Sequence, residues 1–233
     1  MSGDFTDKVV LVTGASRGLG FAVAEALGRA GAQAIAVART VGGLEELDDR
    51  IRANGGAGAV LVPMDITDDP ALERLGAAIH ERWGRLDLWV HTAVQAPPRA
   101  PAEHIDAKEL DRSIATNLRA VQRLIRVLDP LLRLSEDGQA VFCADPSVDG
   151  TAFDGAYVAA KTGQRAIVDA WARGAAALGQ FRVSHVLPPP MRTATRARFY
   201  PGKDPAVLAA PEDVAGRLLA ALASDAPEVI DLR

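Results

Sequence analysis

The sequence holds a single cysteine, Cys143, so an internal disulfide is excluded and a reducing compartment fits best. No apolar run approaches the roughly 20 residues that a bilayer-spanning helix needs. The start of the chain, MSGDFTDK, is polar and acidic, unlike a leader peptide. An excess of positive charge is also missing. The formal net charge is −4, which removes the usual electrostatic basis for binding nucleic acid or an anionic membrane. No low-complexity stretch, linker or internal repeat divides the chain. What remains is 233 residues, 48% apolar and 24% charged, the composition of an ordinary soluble domain. We expect one domain over residues 1–233 and a cytoplasmic location.

Short β-rich runs alternate with longer alanine- and leucine-rich amphipathic stretches. KVVLVT (8–13), AQAIAVA (32–38), GAVLVP (58–63), LDLWVH (86–91), QAVFCA (139–144) and RVSHVL (182–187) read as buried strands. Helical segments fall at about 18–30, 42–54, 69–83, 107–133, 154–178 and 211–223, with a short EVIDL run near the end. This alternation predicts an α/β fold: a Rossmann-type, doubly wound parallel sheet of about seven strands with helices on both faces.

The first strand runs into TGASRGLG (13–20) and then a helix. Gly14, Gly18 and Gly20 allow a tight turn and a close backbone approach to a diphosphate, which the free N–H groups of the helix start would hold. At the end of the second strand, where an acidic residue would accept from the ribose 2′-hydroxyl of NAD, stand Ala38 and Arg39. With Arg17 inside the glycine turn, two guanidinium groups and no carboxylate suit a 2′-phosphate, which favours NADP(H) over NAD(H).

Tyr157 and Lys161 stand four apart in YVAAK, one face of a helix. A tyrosine hydroxyl ionises at about pH 10 in water, and a lysine ammonium one turn away favours the phenolate, so the pair suits proton exchange with a carbonyl or alcohol. Between 188 and 204 the chain carries Arg192, Arg196, Arg198 and Lys203 with Phe199 and Tyr200, readable either as a solvated basic lid or as an acidic-substrate loop. Trp83, Trp89 and Trp171 read as core or interface residues.

With TGASRGLG and YVAAK together, the sequence resembles the short-chain dehydrogenases/reductases from Lys8 to about Leu232. The segment 188–214 is similar to a bacterial oxidoreductase subgroup represented by the YciK proteins. The resemblance implies an NADP(H)-dependent oxidoreductase acting on a small carbonyl or alcohol, with no metal, assembled as a homodimer or homotetramer through the helices that carry Asn117 and Tyr157. It implies that Tyr157, Lys161 and Asn117 are catalytic, Asn117 through a water in a proton relay. Gly14, Ser16, Arg17, Gly18, Leu19, Gly20, Arg39, Asp65, Ile66, Ala93 and Thr193, again with Tyr157 and Lys161, would line the cofactor, and residues 188–210 would form the substrate loop. Asp65 as a plain turn residue and Asn117 as a satisfied buried amide remain open.

Three positions depart from the family pattern. Asn-Ala-Gly after the fourth strand is Thr92, Ala93, Val94, and Asn-Pro-Gly after the sixth is Leu187, Pro188, Pro189, followed by Pro190. The catalytic serine would fall at Ala144 or Asp145, neither of which has its hydroxyl. Ser147 is the candidate replacement. These changes predict weakened catalysis, with an impaired NADP(H)-binding sensor or regulatory protein as the alternative.

Overall fold

The strands pair as the alternation requires. A computed structural model of the chain describes residues 5–144, 152–202, 204–224 and 227–233. Among these, β1 (Val9–Thr13), β2 (Gln33–Ala38), β3 (Ala59–Pro63), β4 (Leu88–His91), β5 (Gln139–Cys143), β6 (Arg182–Leu187) and β7 (Val229–Asp231) form one seven-stranded sheet in the order β3-β2-β1-β4-β5-β6-β7. Every pairing is parallel. Strand direction and crossover hand then place the helices on both faces.

Side chains alternate across the sheet. Val10 and Val12 of β1 face one layer with α1 (Gly18–Arg29), α2 (Val41–Ala53) and α8 (Pro211–Leu222). Val9 and Leu11 face the other, packed on α3 (Asp69–Trp83), α5 (Ala120–Arg133) and α6 (Gly155–Ala177). Trp89 of β4 is fully buried in that second layer, edge-on to Phe142 with ring centroids 4.9 Å apart. Not every run expected as a buried strand is one. β3 lies at the sheet edge and is only half-buried, because a single neighbour covers it.

Local chemistry sets the helix ends. The Asp68 carboxylate accepts from the Ala71 amide (3.1 Å) to start α3, and Gly84, at φ 74°, closes it with its N–H on the His80 carbonyl. Asp106 caps α4 (Ala107–Ile114) in the same way. The helix expected over 107–133 is interrupted: residues Ala115–Arg119 form a π turn between α4 and α5, with Asn117 inside it. Such a turn shifts the main-chain ladder by a residue and is frequent at functional sites. A short helix, α7 (Ala194–Phe199), forms after β6 beyond the elements expected.

The strand order reverses between β1 and β4, so the loops after them diverge and leave a crevice at the carboxyl edge of the sheet. There the functional side chains gather.

Candidate active site

A cleft of about 620 Å³ opens at that crevice, walled by the turns after β1, β2 and β3, the loops after β4 and β6, the amino-terminal part of α6, and α7. At its floor, the turn after β1 is held by its neighbours. Gly14 sits at φ 90°, and a Cβ there would lie 2.6 Å from the Ala93 amide nitrogen. A Cβ on Gly20 would run into Thr92 Oγ1 and the Gly14 carbonyl. These two glycines therefore let the β1 turn, α1 and the β4 loop close on one another. Gly18, at φ 60°, has only the Thr193 side chain nearby and faces the cleft. Thr92, in the place of the family's asparagine, donates its hydroxyl to the Thr13 carbonyl (2.9 Å).

The start of α1 fits an anion. Arg17 at its N-cap makes no side-chain capping bond, the first turn has no acidic residue, and Ser16 through Gly20 line the cleft. Unengaged N–H groups and the positive end of the helix dipole suit a diphosphate. Arg39 and Arg17 are exposed at the same end. The Asp65 carboxylate accepts from the Thr67 amide and hydroxyl (2.9 and 2.8 Å) and lies 3.9 Å from Arg39, an exposed pair of little energetic weight. Ile66 is buried and lines the cleft beside Asp65 and Ala93. These residues fit a dinucleotide.

Tyr157 and Lys161 meet at the other end. Both are buried on α6 and both line the cleft. The Lys161 ammonium donates to the Cys143 carbonyl at the end of β5 (3.1 Å) and to Gln164 Oε1, which fixes the amine under the cleft. The Tyr157 ring meets Phe199 of α7 edge-on at 5.1 Å, in an apolar cluster with Ala96. Val94 packs onto that cluster and also lines the cleft. Burial disfavours the Cys143 thiolate and pushes the thiol up to about 11, against the opposing effect of Lys161.

Asn117 is fully buried, and its amide is engaged: Oδ1 accepts from the Gln95 amide, and Nδ2 donates to the Gln95 carbonyl (2.8 Å each) and to Ser113 Oγ (3.1 Å). Ser113 in turn donates to the Ala156 carbonyl, so the π turn ties the β4 loop to the start of α6. Thr193 caps α7, its hydroxyl oxygen accepting from the Arg196 amide (3.2 Å). Ala144 continues the β5 pairing through its amide to the Val186 carbonyl and lines the cleft with Pro188, Pro189 and Pro190. Asp145, Ser147 and Lys203 lie outside the described residues.

Several site residues were not read from the sequence. Gln164 is one; its signal was a polar side chain three residues after Lys161, on the same buried face. Arg99 is another. It holds Asp154 (2.6 Å) and the carbonyls of Ala152 and Phe199, joining the β4 loop to α6 and α7. His91 is the third. Its Nδ1 bonds Thr13 Oγ1 (2.8 Å), Nε2 has no partner, and burial with the nearby Lys161 charge pushes its pKa down to about 3. No group of residues able to hold a metal ion occurs among the described residues.

Comparison with known proteins agrees with this geometry. The short chain dehydrogenase family model matches residues 8–204. A fatty acyl-CoA reductase of Acinetobacter baylyi is 33% identical over 169 residues, 71% of this chain and 55% of its own length. The chain spans about half the length of the first curated relatives it matches. The structure of the E. coli oxidoreductase yciK superposes with a TM-score of 0.91 at 26% identity, over 99% of this chain and 96% of that one. A metagenomic short-chain oxidoreductase in complex with NADP superposes with a TM-score of 0.82 at 28% identity, over 98% and 96%. From its glycine turn through Tyr157 and Lys161 to its seven-stranded sheet, this chain belongs to the short-chain dehydrogenase family.

Proposed function

We propose that the chain is an NADP(H)-dependent oxidoreductase that interconverts a carbonyl and an alcohol on a small molecule. The observation that carries this reading is the placement of Tyr157 and Lys161, buried one helical turn apart, in the same cleft as the uncapped start of α1. A nicotinamide held there supplies or takes the hydride. Tyr157 donates the proton to the carbonyl oxygen in reduction and withdraws it in oxidation. Lys161, steadied by the Cys143 carbonyl and Gln164, keeps a positive charge beneath that hydroxyl and serves the nicotinamide ribose.

Arg17 and Arg39 take the 2′-phosphate, since both guanidinium groups are exposed at the adenine end and Asp65 is too distant from Arg39 to neutralise it strongly. The backbone of Gly14 to Gly20 holds the diphosphate, Asp65, Ile66 and Ala93 border the adenine half, and Thr193 borders the nicotinamide half. Both Asn117 amide protons are engaged, by Gln95 and Ser113, so what Asn117 offers a relay water is an acceptor oxygen. Ser147, outside the described residues, is the candidate hydroxyl for holding the substrate oxygen, Ala144 having none. Without a second donor, turnover falls on the order of 100–1,000-fold but does not vanish. Residues 188–210 border the substrate, and α4, α5 and α6 supply the faces of a homodimer or homotetramer.

The test is a fluorescence titration with NADPH and with NADH, for wild type, Arg39→Ser and Arg17→Ser, followed by a carbonyl screen with Tyr157→Phe. We expect NADPH to bind more tightly than NADH, each arginine substitution to cost about 10-fold for NADPH alone, and Tyr157→Phe to abolish turnover. Equal affinity for the two nucleotides in wild type overturns the NADP(H) assignment. Turnover as fast in Tyr157→Phe as in wild type overturns the catalytic one.

A further inference from the structure

The cationic side chains of the 188–204 loop do not share one environment. Arg192 and Arg198 are exposed and lie away from the cleft, as a solvated lid would have them. Arg196 is half-buried, lines the cleft, and stacks its guanidinium over the Tyr200 ring at 3.9 Å. Its Nε is shielded from solvent and has no hydrogen-bond partner, and no carboxylate pairs with it among the described residues. Asp154, the carboxylate of the same cleft wall, is already held by Arg99 at 2.6 Å, and Arg99 also lies over Tyr200 at 5.4 Å. A buried donor left without an acceptor is uncommon in native proteins and asks for a cause.

Stacking restrains a guanidinium in its plane and leaves the edge N–H groups to meet a planar anion in bidentate fashion. Arg196 lies three residues before Phe199 on α7, the same helix face, and Phe199 touches the Tyr157 ring. Arg196 and the proton-donating Tyr157 thus line the same cleft, with Phe199 between them on the wall.

We propose that Arg196, oriented by Tyr200, binds a carboxylate on the substrate, so that the protein acts on oxo acids or hydroxy acids. This rests on the oxidoreductase reading above and names its substrate class. Arg196 determines specificity; Tyr200 is a positioning residue.

The test has two arms. In the first, NADPH is titrated into wild type, Arg196→Met and Arg196→Lys. In the second, calorimetry on the NADP⁺-saturated proteins measures binding of acetoacetate and levulinate against their methyl esters. We expect NADPH to bind all three proteins alike. Wild type should prefer each acid over its ester by about 10- to 100-fold, Arg196→Met should lose that preference, and Arg196→Lys should keep part of it. Tyr200→Leu should reduce the preference without changing NADPH affinity. Acids and esters bound alike by wild type, or not at all, overturn the proposal while leaving the oxidoreductase reading intact. A loss of NADPH affinity in Arg196→Met with no acid preference assigns the arginine to a cofactor phosphate and also overturns it. No NADPH binding by wild type overturns the underlying reading, and this proposal with it.

Discussion

Acidification is expected to destabilise the protein through His91 in a way that no exposed histidine could. The imidazole is 2% exposed, bonds Thr13 Oγ1 through Nδ1, and lies within range of the Lys161 charge, so protonation in the folded state is resisted first by burial and then by that ammonium. Its folded pKa is about 3, against about 6.5 in the unfolded chain. Above pH 6.5 the ring is neutral in both states and costs nothing. Between 6.5 and 3 the unfolded chain binds a proton that the folded one does not, so stability falls as pH falls, and below 3 the loss is complete. Each pH unit carries about 1.4 kcal/mol, so at pH 5 the loss is about 2 kcal/mol. For a domain of this size that is about 4–8 °C in Tm. Carboxylates titrate over the same range, so the assay is a difference: Tm at pH 7.5 and at pH 5, for wild type and for His91→Gln. Wild type should lose about 4–8 °C more than the variant, whatever the offset between them at pH 7.5. Parallel pH profiles would refute the assignment of a buried neutral histidine, as would an NMR titration of the His91 ring with an ordinary midpoint.

Two further substitutions probe how the site is held. Gly20→Ala drives a Cβ into Thr92 Oγ1 and the Gly14 carbonyl, and because the second is backbone, shortening Thr92 does not relieve it. We expect a loss of about 1–3 kcal/mol together with weaker NADPH binding, whereas Gly216→Ala, an open position on α8, should hold or raise Tm; equal effects of the two would refute the close approach. Asn117→Ala strips partners from the Gln95 amide and carbonyl and from Ser113, which should cost about 2–5 kcal/mol. Hydrogen exchange at the Gln95 amide should accelerate in that variant, and unchanged protection there would show that Asn117 does not hold the β4 loop.

What could be read from the sequence followed local physics. The buried strands announce themselves by apolar runs, and the cofactor turn by glycines between a strand and a helix. The π turn escaped notice because ATNLR interrupts no apolar period: Val121, Leu124 and Leu128 keep their spacing beyond it. Helix α7 escaped because six residues after three prolines carry too little pattern. The surroundings of Tyr157 were hidden for another reason, distance along the chain. Phe199 lies far beyond it in sequence and Val94 far before, and neither contact leaves a local trace. Val94 shows what this costs in interpretation. Against the family pattern, valine for glycine reads as an obstruction beside the cofactor. In the fold, Val94 packs on the cluster of Ala96, Tyr157 and Phe199 while still lining the cleft. The same residue that lines the cleft packs against the cluster holding the Tyr157 ring, and α7, which supplies Phe199, supplies Arg196 one turn away. Val94 and the loop after the prolines thus act on the same wall, the one that a substrate would meet.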